Sequence, residues 1–486
     1  MATQGSGCSL LRQGPCASRM LMAMLLLAGS ALPRAVCAGE LWTALPDLRS
    51  TPREKFRSKL QRLLDEVTEA SRLGEAALQL SWKSVDFEVT VSSGEAKGRD
   101  VTAKDTWLFG SATKPYTAVM VMQAMERGLI DLNETVSHYV DPMLLSLVNT
   151  TMVDLFGPRA LNVTVWHLVT MQSGLPDFDV PALDEEMLTT AFNESWAPIR
   201  VIEAAAKEDW VCDPGECVYY SSTNFVLLGF VLLAANGPAP GGSPLDWSSL
   251  DQSSVLPLSC ENSGFVTNSS IRSKLTVPGI SDGGVGLGGE HERSRLDPSS
   301  YPLSASRAAS KRNSVKPTRI YAQPADILGW TCGNVVATTL DVARFMWDLL
   351  ATKTLVNEST LALMTQTRPM SFGFGKGLIE YGAGLFSQQS DYAAIRKSRH
   401  WNYGDWGTTL GHGGDTYGFI SDQGFIPQFN ATWSYVVNRD MPPNRVYMLT
   451  CEVIRAAAEI LYNKSTTLLC GRFSRSSEPP ADIVMV

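Results

Sequence analysis

Trp107-Leu-Phe-Gly-Ser111-Ala-Thr-Lys114-Pro115, with the stretch that follows it, decides the reading of this chain. Pro115 suits a first helical turn, where its missing N–H would be unpaired anyway. Ala118, Val121, Met122 and Met125 recur at three- and four-residue steps, which predicts a helix from about Pro115 to Arg127 with one apolar face. Gly128 is placed to stop it. Ser111 then sits at or just before a helix N-terminus, where backbone N–H groups favour negative charge. Lys114 lies one turn on and shares a face with it. A lysine held in a dry pocket loses pKa and can take a serine proton. The pair reads as a serine nucleophile with its lysine base. The spacing alone is a weak signal, because an amphipathic helix with a surface lysine has the same pattern. Ser111 is the only serine followed three places later by lysine.

The chain length of 486 residues leaves room for one large domain or two ordinary ones. A net charge of -8, with no basic block beyond the sprinkling from Arg307 to Arg319, argues against nucleic acid as a partner. No repeat is present. Arg12 and Arg19 precede an apolar run, Met20 to Leu32, and Val36-Cys-Ala38 offers small residues at a cleavage site. Residues 1–38 therefore read as a signal peptide, with a signal anchor as the alternative. No later stretch is long enough to span a bilayer, so no stable membrane span is expected after cleavage. Sequons at Asn133, Asn149, Asn162, Asn193, Asn268, Asn357, Asn430 and Asn463 fit surface glycosylation of a secreted or secretory-lumen protein. Cys8, Cys16 and Cys37 fall in the leader. Cys212, Cys217, Cys260, Cys332, Cys451 and Cys470 remain for disulfides or buried thiols, and Cys212 and Cys217 could close a small loop. The five histidines form no spaced metal-ligand set, and neither metal nor cofactor is expected.

Residues 39–54 read as a linker. Phe56, Leu60, Leu63, Leu64 and Val67 mark an amphipathic helix over 55–70. Ala77 to Trp82 and Phe87 to Val91 alternate like a hairpin. This order of elements predicts an α+β fold with an antiparallel sheet flanked by helices. Beyond Arg127 the chain reads Gly128-Leu-Ile-Asp-Leu-Asn-Glu-Thr-Val-Ser-His-Tyr-Val140. Later comes Val163-Thr-Val-Trp-His-Leu-Val-Thr-Met171-Gln-Ser173-Gly174-Leu175-Pro176. With the Ser111 helix, these segments resemble the serine β-lactamase-related family, which includes class C β-lactamases, D-alanyl-D-alanine carboxypeptidases and esterases. Met171 stands where many relatives have histidine, so that histidine is not part of the chemistry here.

Tyr219-Tyr220-Ser221-Ser222-Thr223-Asn224-Phe225 is similar to the family's second motif. The resemblance puts Tyr220 at the catalytic tyrosine and Ser222 at a position often filled by asparagine. Ser222 offers a single hydroxyl and would grip a substrate amide less well. The alternative is a core-edge aromatic and a simple cap for the apolar helix from Phe225 to Ala235. Residues Gly237 to Thr318 are rich in Gly, Ser and Pro, and roughly 260–318 reads as a mobile insertion or long loop. Its string Gly283–Gly289 lacks the strand and helix that a nucleotide loop needs. Gly333 to Phe345 and Tyr381-Gly-Ala-Gly384 match structural segments of the family. In the former, Thr338 or Thr339 is read as a helix cap, with Asp341 and Arg344 structural. Gly411-His412-Gly413-Gly414-Asp415 looks like a variant of its Lys-Thr-Gly motif. Phe419–Ile426 and Thr432–Val437 read as a hairpin, and Cys451–Tyr462 as the last helix.

The resemblance covers roughly 55–465, leaving 466–486 as a polar tail. It implies a β-lactamase/transpeptidase-like fold with an added, mostly helical subdomain. It also implies acyl transfer through Ser111, with Lys114 and Tyr220 sharing the proton work. Ser222, His412, Gly413 and Gly414 would bind substrate, and the backbone N–H groups of Ser111 and Asp415 would form the oxyanion hole. Histidine in place of lysine at 412 weakens any anchor for a substrate carboxylate, because imidazole is half neutral near pH 6.5. A small ester or amide is therefore the expected substrate, handled by an esterase or a D-amino-acid peptidase-like enzyme. The competing reading is a non-catalytic secreted glycoprotein that keeps the fold for binding or scaffolding. Oligomeric state is not legible.

Overall fold

The computed structural model describes residues 50–70, 76–180, 194–267, 277–281, 318–320, 324–372, 379–389, 408–439 and 446–466, with 183, 186, 187, 468 and 470. The stretch read as a signal peptide, the glycine string 283–289, the sequons at Asn193 and Asn268 and most of the stretch read as a tail lie outside these residues.

The main sheet has eight antiparallel strands. In chain order they are β1 (Leu78–Ser84), β2 (Phe87–Ser93), β3 (Arg368–Pro369), β4 (Ile379–Tyr381), β5 (Phe386–Gln389), β6 (Thr408–Thr416), β7 (Phe419–Ile426) and β8 (Ala431–Val437). In space they run β3-β4-β5-β6-β7-β8-β1-β2. The expected hairpin of β1 and β2 forms, with Leu80 opposite Val91 and Trp82 opposite Val89. β8 closes back on β1, setting Trp433 against Trp82 and Tyr435 against Leu80.

Helices cover both faces. Helix α1 (Pro52–Ala70) begins inside the stretch read as a linker. It buries Phe56, Leu60 and Leu64 among Leu80, Trp82, Trp433, Val453 and Ile454. The last two belong to the helix Leu449–Ala456, which continues as a π-turn over Ala457–Leu461 instead of running regularly to Tyr462. Cys451 is bonded to Cys470, and Leu468 is buried. The start of the supposed tail is thus tied to the domain. On the other face, the alternate positions of β1 are polar yet buried, because the helix Thr339–Leu350 lies over them. Gln79 Oε1 accepts from Thr339 N at 2.7 Å, and the Ser81 and Thr339 hydroxyls lie 2.7 Å apart. Buried polar groups persist here because they are paired.

Two helices form the centre of the helical layer: Lys114–Glu126, which follows a 3-10 turn at Gly110–Thr113, and Thr223–Asn236. The first was expected to have one apolar face. Instead every residue from Lys114 to Met122 is buried, and such a helix is apolar nearly all round because protein surrounds it. Gly229 lets the second helix approach the 330–332 turn, since a Cβ there would meet Thr331 Oγ1 and Trp330 at 2.5 Å. That turn is bolted to both helices: Thr117 Oγ1 donates to Thr331 O at 2.6 Å, and Thr331 Oγ1 donates to Phe225 O at 2.7 Å.

Residues 260–267, at the start of the stretch read as a mobile insertion or long loop, are woven into the domain. Cys260 is buried, Asn262 N donates to Asp341 Oδ2 at 2.6 Å, and Val266 N donates to Asn334 O at 3.0 Å. Among the described residues no helix is long and apolar enough to cross a membrane.

Thr338 caps the helix Thr339–Leu350, its side chain accepting from Asp341 N at 3.2 Å. Thr338→Ala removes that acceptor. Stability in urea unfolding is expected to fall by about 1 kcal/mol, with the slope of the transition unchanged.

Candidate active site

The expected residues Ser111, Lys114, Tyr220, Ser222 and His412 come together where the 3-10 turn Gly110–Thr113 meets β6 and the start of the helix Thr223–Asn236. Lys114 is fully buried. Its Nζ lies 2.8 Å from Ser111 Oγ, 3.4 Å from Ser222 Oγ and 3.3 Å from the carbonyl oxygen of Cys332. The Tyr220 and Phe225 rings stand 4.9 and 5.8 Å from the same nitrogen. A surface lysine is thereby ruled out. Burial lowers the Lys114 pKa, with Cys332, Asp177 and Asp179 pulling the other way.

Ser222 N-caps its helix by position only: its side chain makes no capping bond and instead accepts from Lys114. Tyr220 is held protonated, because burial raises its pKa well above 10, opposed by a hydrogen bond with Ser111. Its ring stacks on Phe386 at 5.9 Å and stands edge-on to Tyr381 at 6.1 Å.

His412 is fully buried behind this group, so the side chain read as a substrate contact is enclosed by protein. Its ring lies 4.3 Å from that of Phe386, and its Nε2 is 3.3 Å from Tyr381 Oη. Burial, then the charge of Lys114, holds its pKa well below 6.5. The imidazole is therefore neutral at physiological pH.

The glycines after it allow β6 to press on the nucleophile turn. A Cβ on Gly414 would lie 2.0 Å from Phe109 O and 3.0 Å from Ala112 N. One on Gly110, whose φ is +52°, would lie 2.7 Å from Asp415 O. Ser111 and Asp415, the expected oxyanion pair, are thus on backbone segments in close contact. Gly413 pairs with Asp422 across the strand.

Three features went unforeseen. The Cys332 carbonyl reaches Lys114 through the turn that Gly229 admits. Tyr381, read only as part of a structural segment, encloses His412 together with Phe386. Asp177 is buried beside Ser222, whose N–H donates to Asp177 Oδ1 at 3.0 Å. The available signal was an acid placed directly after Ser173-Gly-Leu-Pro176 in an apolar stretch. Met171 serves the same corner: its sulfur accepts from Ser221 N at 3.4 Å and Asn224 Nδ2 at 3.2 Å.

Cys212 and Cys217 are bonded, whereas Cys260 and Cys332 are buried thiols. Asn133, Asn149, Asn162, Asn357, Asn430 and Asn463 are all exposed. No group of three or more metal-capable side chains occurs among the described residues.

Residues 77–241 match the family model described as Beta-lactamase. The fold resembles that of a D-stereospecific amidohydrolase from Streptomyces sp. (TM-score 0.60, 19% identity, covering 82% of this chain and 98% of that one). It also resembles a D-amino acid amidase from Ochrobactrum anthropi complexed with L-phenylalanine amide (0.59, 18%, 84% and 99%). A third similar structure is the octameric penicillin-binding protein homologue from Pyrococcus abyssi (0.56, 19%, 84% and 78%).

At pH 6.5 an ordinary histidine is half protonated, but His412 should remain neutral. Histidine-selective NMR should show one imidazole titrating well below 6.5, absent in His412→Gln. A folded-state pKa below the unfolded one means that the unfolded chain binds the proton first. This residue's contribution to stability is therefore lost as pH falls below 6.5.

Proposed function

We propose that the chain is a serine hydrolase of the β-lactamase-related type, that it is secreted, and that it acts on a small ester or amide through a covalent acyl-enzyme. The observation that carries this reading is the Lys114 amine, sealed from water and 2.8 Å from Ser111 Oγ. A neutral amine has two N–H donors and one lone pair. The Ser222 hydroxyl and the Cys332 carbonyl accept the two hydrogens, which leaves the lone pair for the Ser111 proton.

Ser111 Oγ bonds to the substrate carbonyl carbon while its proton passes to Lys114 Nζ. The carbonyl oxygen becomes an oxyanion facing the backbone N–H groups of Ser111 and Asp415. Collapse of this intermediate breaks the bond to the leaving alcohol or amine. Tyr220, protonated over the working pH range, hands its proton to that group and recovers one from the Lys114 ammonium. Water then enters by the reverse path, and Ser111 regains its proton as the acid leaves.

His412 carries no charge here, so it offers a substrate carboxylate no cation. That favours uncharged ester or amide termini over free acids, and two of the structural neighbours are named as amidohydrolase and amidase. The paired cysteines and the exposed sequons support passage through a secretory compartment.

Intact-mass spectrometry after treatment with a fluorophosphonate should show one adduct on the wild type and none on Ser111→Ala. A folded wild type that takes no adduct at any pH refutes the hydrolase. Lys114→Met should slow labelling about 100-fold or more.

A further inference from the structure

Asp177 is 4% exposed and lies on a segment that is pinned to the catalytic corner in both directions. Ser221 Oγ donates to Pro176 O at 3.0 Å, Ser222 N donates to Asp177 Oδ1 at 3.0 Å, and Phe178 N donates to Thr223 Oγ1 at 3.0 Å. Asp179 N donates to the same Asp177 oxygen at 3.3 Å. The carboxylate therefore grips the backbone of the residue whose hydroxyl accepts from Lys114.

A neutral carbonyl could accept these two N–H bonds equally well. A carboxylate in their place carries a large desolvation cost unless a cation balances it. The cation acting on Asp177 is Lys114. The other groups in the field of Lys114 are Asp179, the Cys332 thiol and His412, and Tyr220 lies in that of Asp177. Tyr220, Tyr381 and Cys332 are held protonated by burial and His412 is neutral, which leaves Asp179 as the other acid in this field.

We infer that Asp177 is a positioning residue for the reaction: it fixes the Tyr220–Ser222 corner through the Ser222 backbone and supplies the negative charge that balances the Lys114 ammonium when the serine proton arrives. The role extends the serine hydrolase reading and rests on it. Burial first, then Asp179, pushes the Asp177 carboxyl up to about 7, with Lys114 opposing.

The test is the pH dependence of the rate at which a fluorophosphonate labels Ser111, with melting temperature as the check on folding. Asp177→Asn keeps an acceptor for both N–H groups and removes the charge. Loss of the carboxylate lowers the Lys114 pKa, so the lysine is deprotonated at lower pH. The acid limb of the labelling profile should move down by about one pH unit. Asp177→Ala also frees the corner, and its plateau rate should drop about tenfold or more below that of Asp177→Asn. Coincident acid limbs for Asp177→Asn and wild type, both folded, overturn the charge role, whatever Asp177→Ala does. Equal plateau rates for the two folded variants overturn the positioning role. A wild type that takes no label at any pH fails one step earlier and removes the hydrolase reading itself.

Discussion

An amine shut away from water must either give up its proton or find partners for it, and this site is arranged around that constraint. The Lys114 nitrogen has three oxygen neighbours, each delivered by a different part of the chain. Ser111 comes from the preceding turn, Ser222 from the start of a second buried helix, and the Cys332 carbonyl from a turn more than two hundred residues further on. Placing the last requires Gly229, because any side chain there would displace Trp330 and Thr331. The helix carrying Lys114 is apolar nearly all round for the same reason that its lysine is dry: it runs through the middle of the domain.

The glycines of β6 answer a second requirement, that backbone approach backbone. Developing charge on a carbonyl oxygen is stabilised by N–H groups from two strands of chain held at short range. The close contacts of Gly414 with Phe109 and of Gly110 with Asp415 leave no room for a Cβ on either side. The positive φ of Gly110 also aims the chain into the nucleophile turn. Residues with side chains would hold the two segments apart and open the site to water.

Local patterns were legible because they are written in neighbouring residues. The Ser111–Lys114 spacing, the hairpin of β1 and β2, the Thr338 cap and the Cys212–Cys217 loop each depend on a few consecutive positions. What depended on long-range packing was not legible. Gln79 and Ser81 look like solvent positions of a half-buried strand, yet the helix from Thr339 covers them. The Lys114 helix looked one-sided because its own sequence does not record that protein lies on every side. Asp177 drew no reading at all, since the Ser222 backbone that it holds is forty-five residues away. Cys260 to Val266 looked like part of a polar insertion, although Asp341 and Asn334 anchor them.

Histidine at 412 follows from the same electrostatics. Lys114 lies close enough to depress the His412 pKa, so a second ammonium at that position would face a like charge across a buried gap. A lysine there demands water or an anion beside it. Here Tyr381 and Phe386 close the space instead, and a neutral imidazole bonded to the Tyr381 hydroxyl fits without any counter-charge. Lys114 and Asp177 then form an amine–carboxyl pair, with Asp179 the other acid in the field of both, and with Tyr220, Cys332 and His412 held neutral by burial. Such a pair can shift a proton onto a leaving group and back without a net change in buried charge. That keeps the largest desolvation cost out of the reaction path.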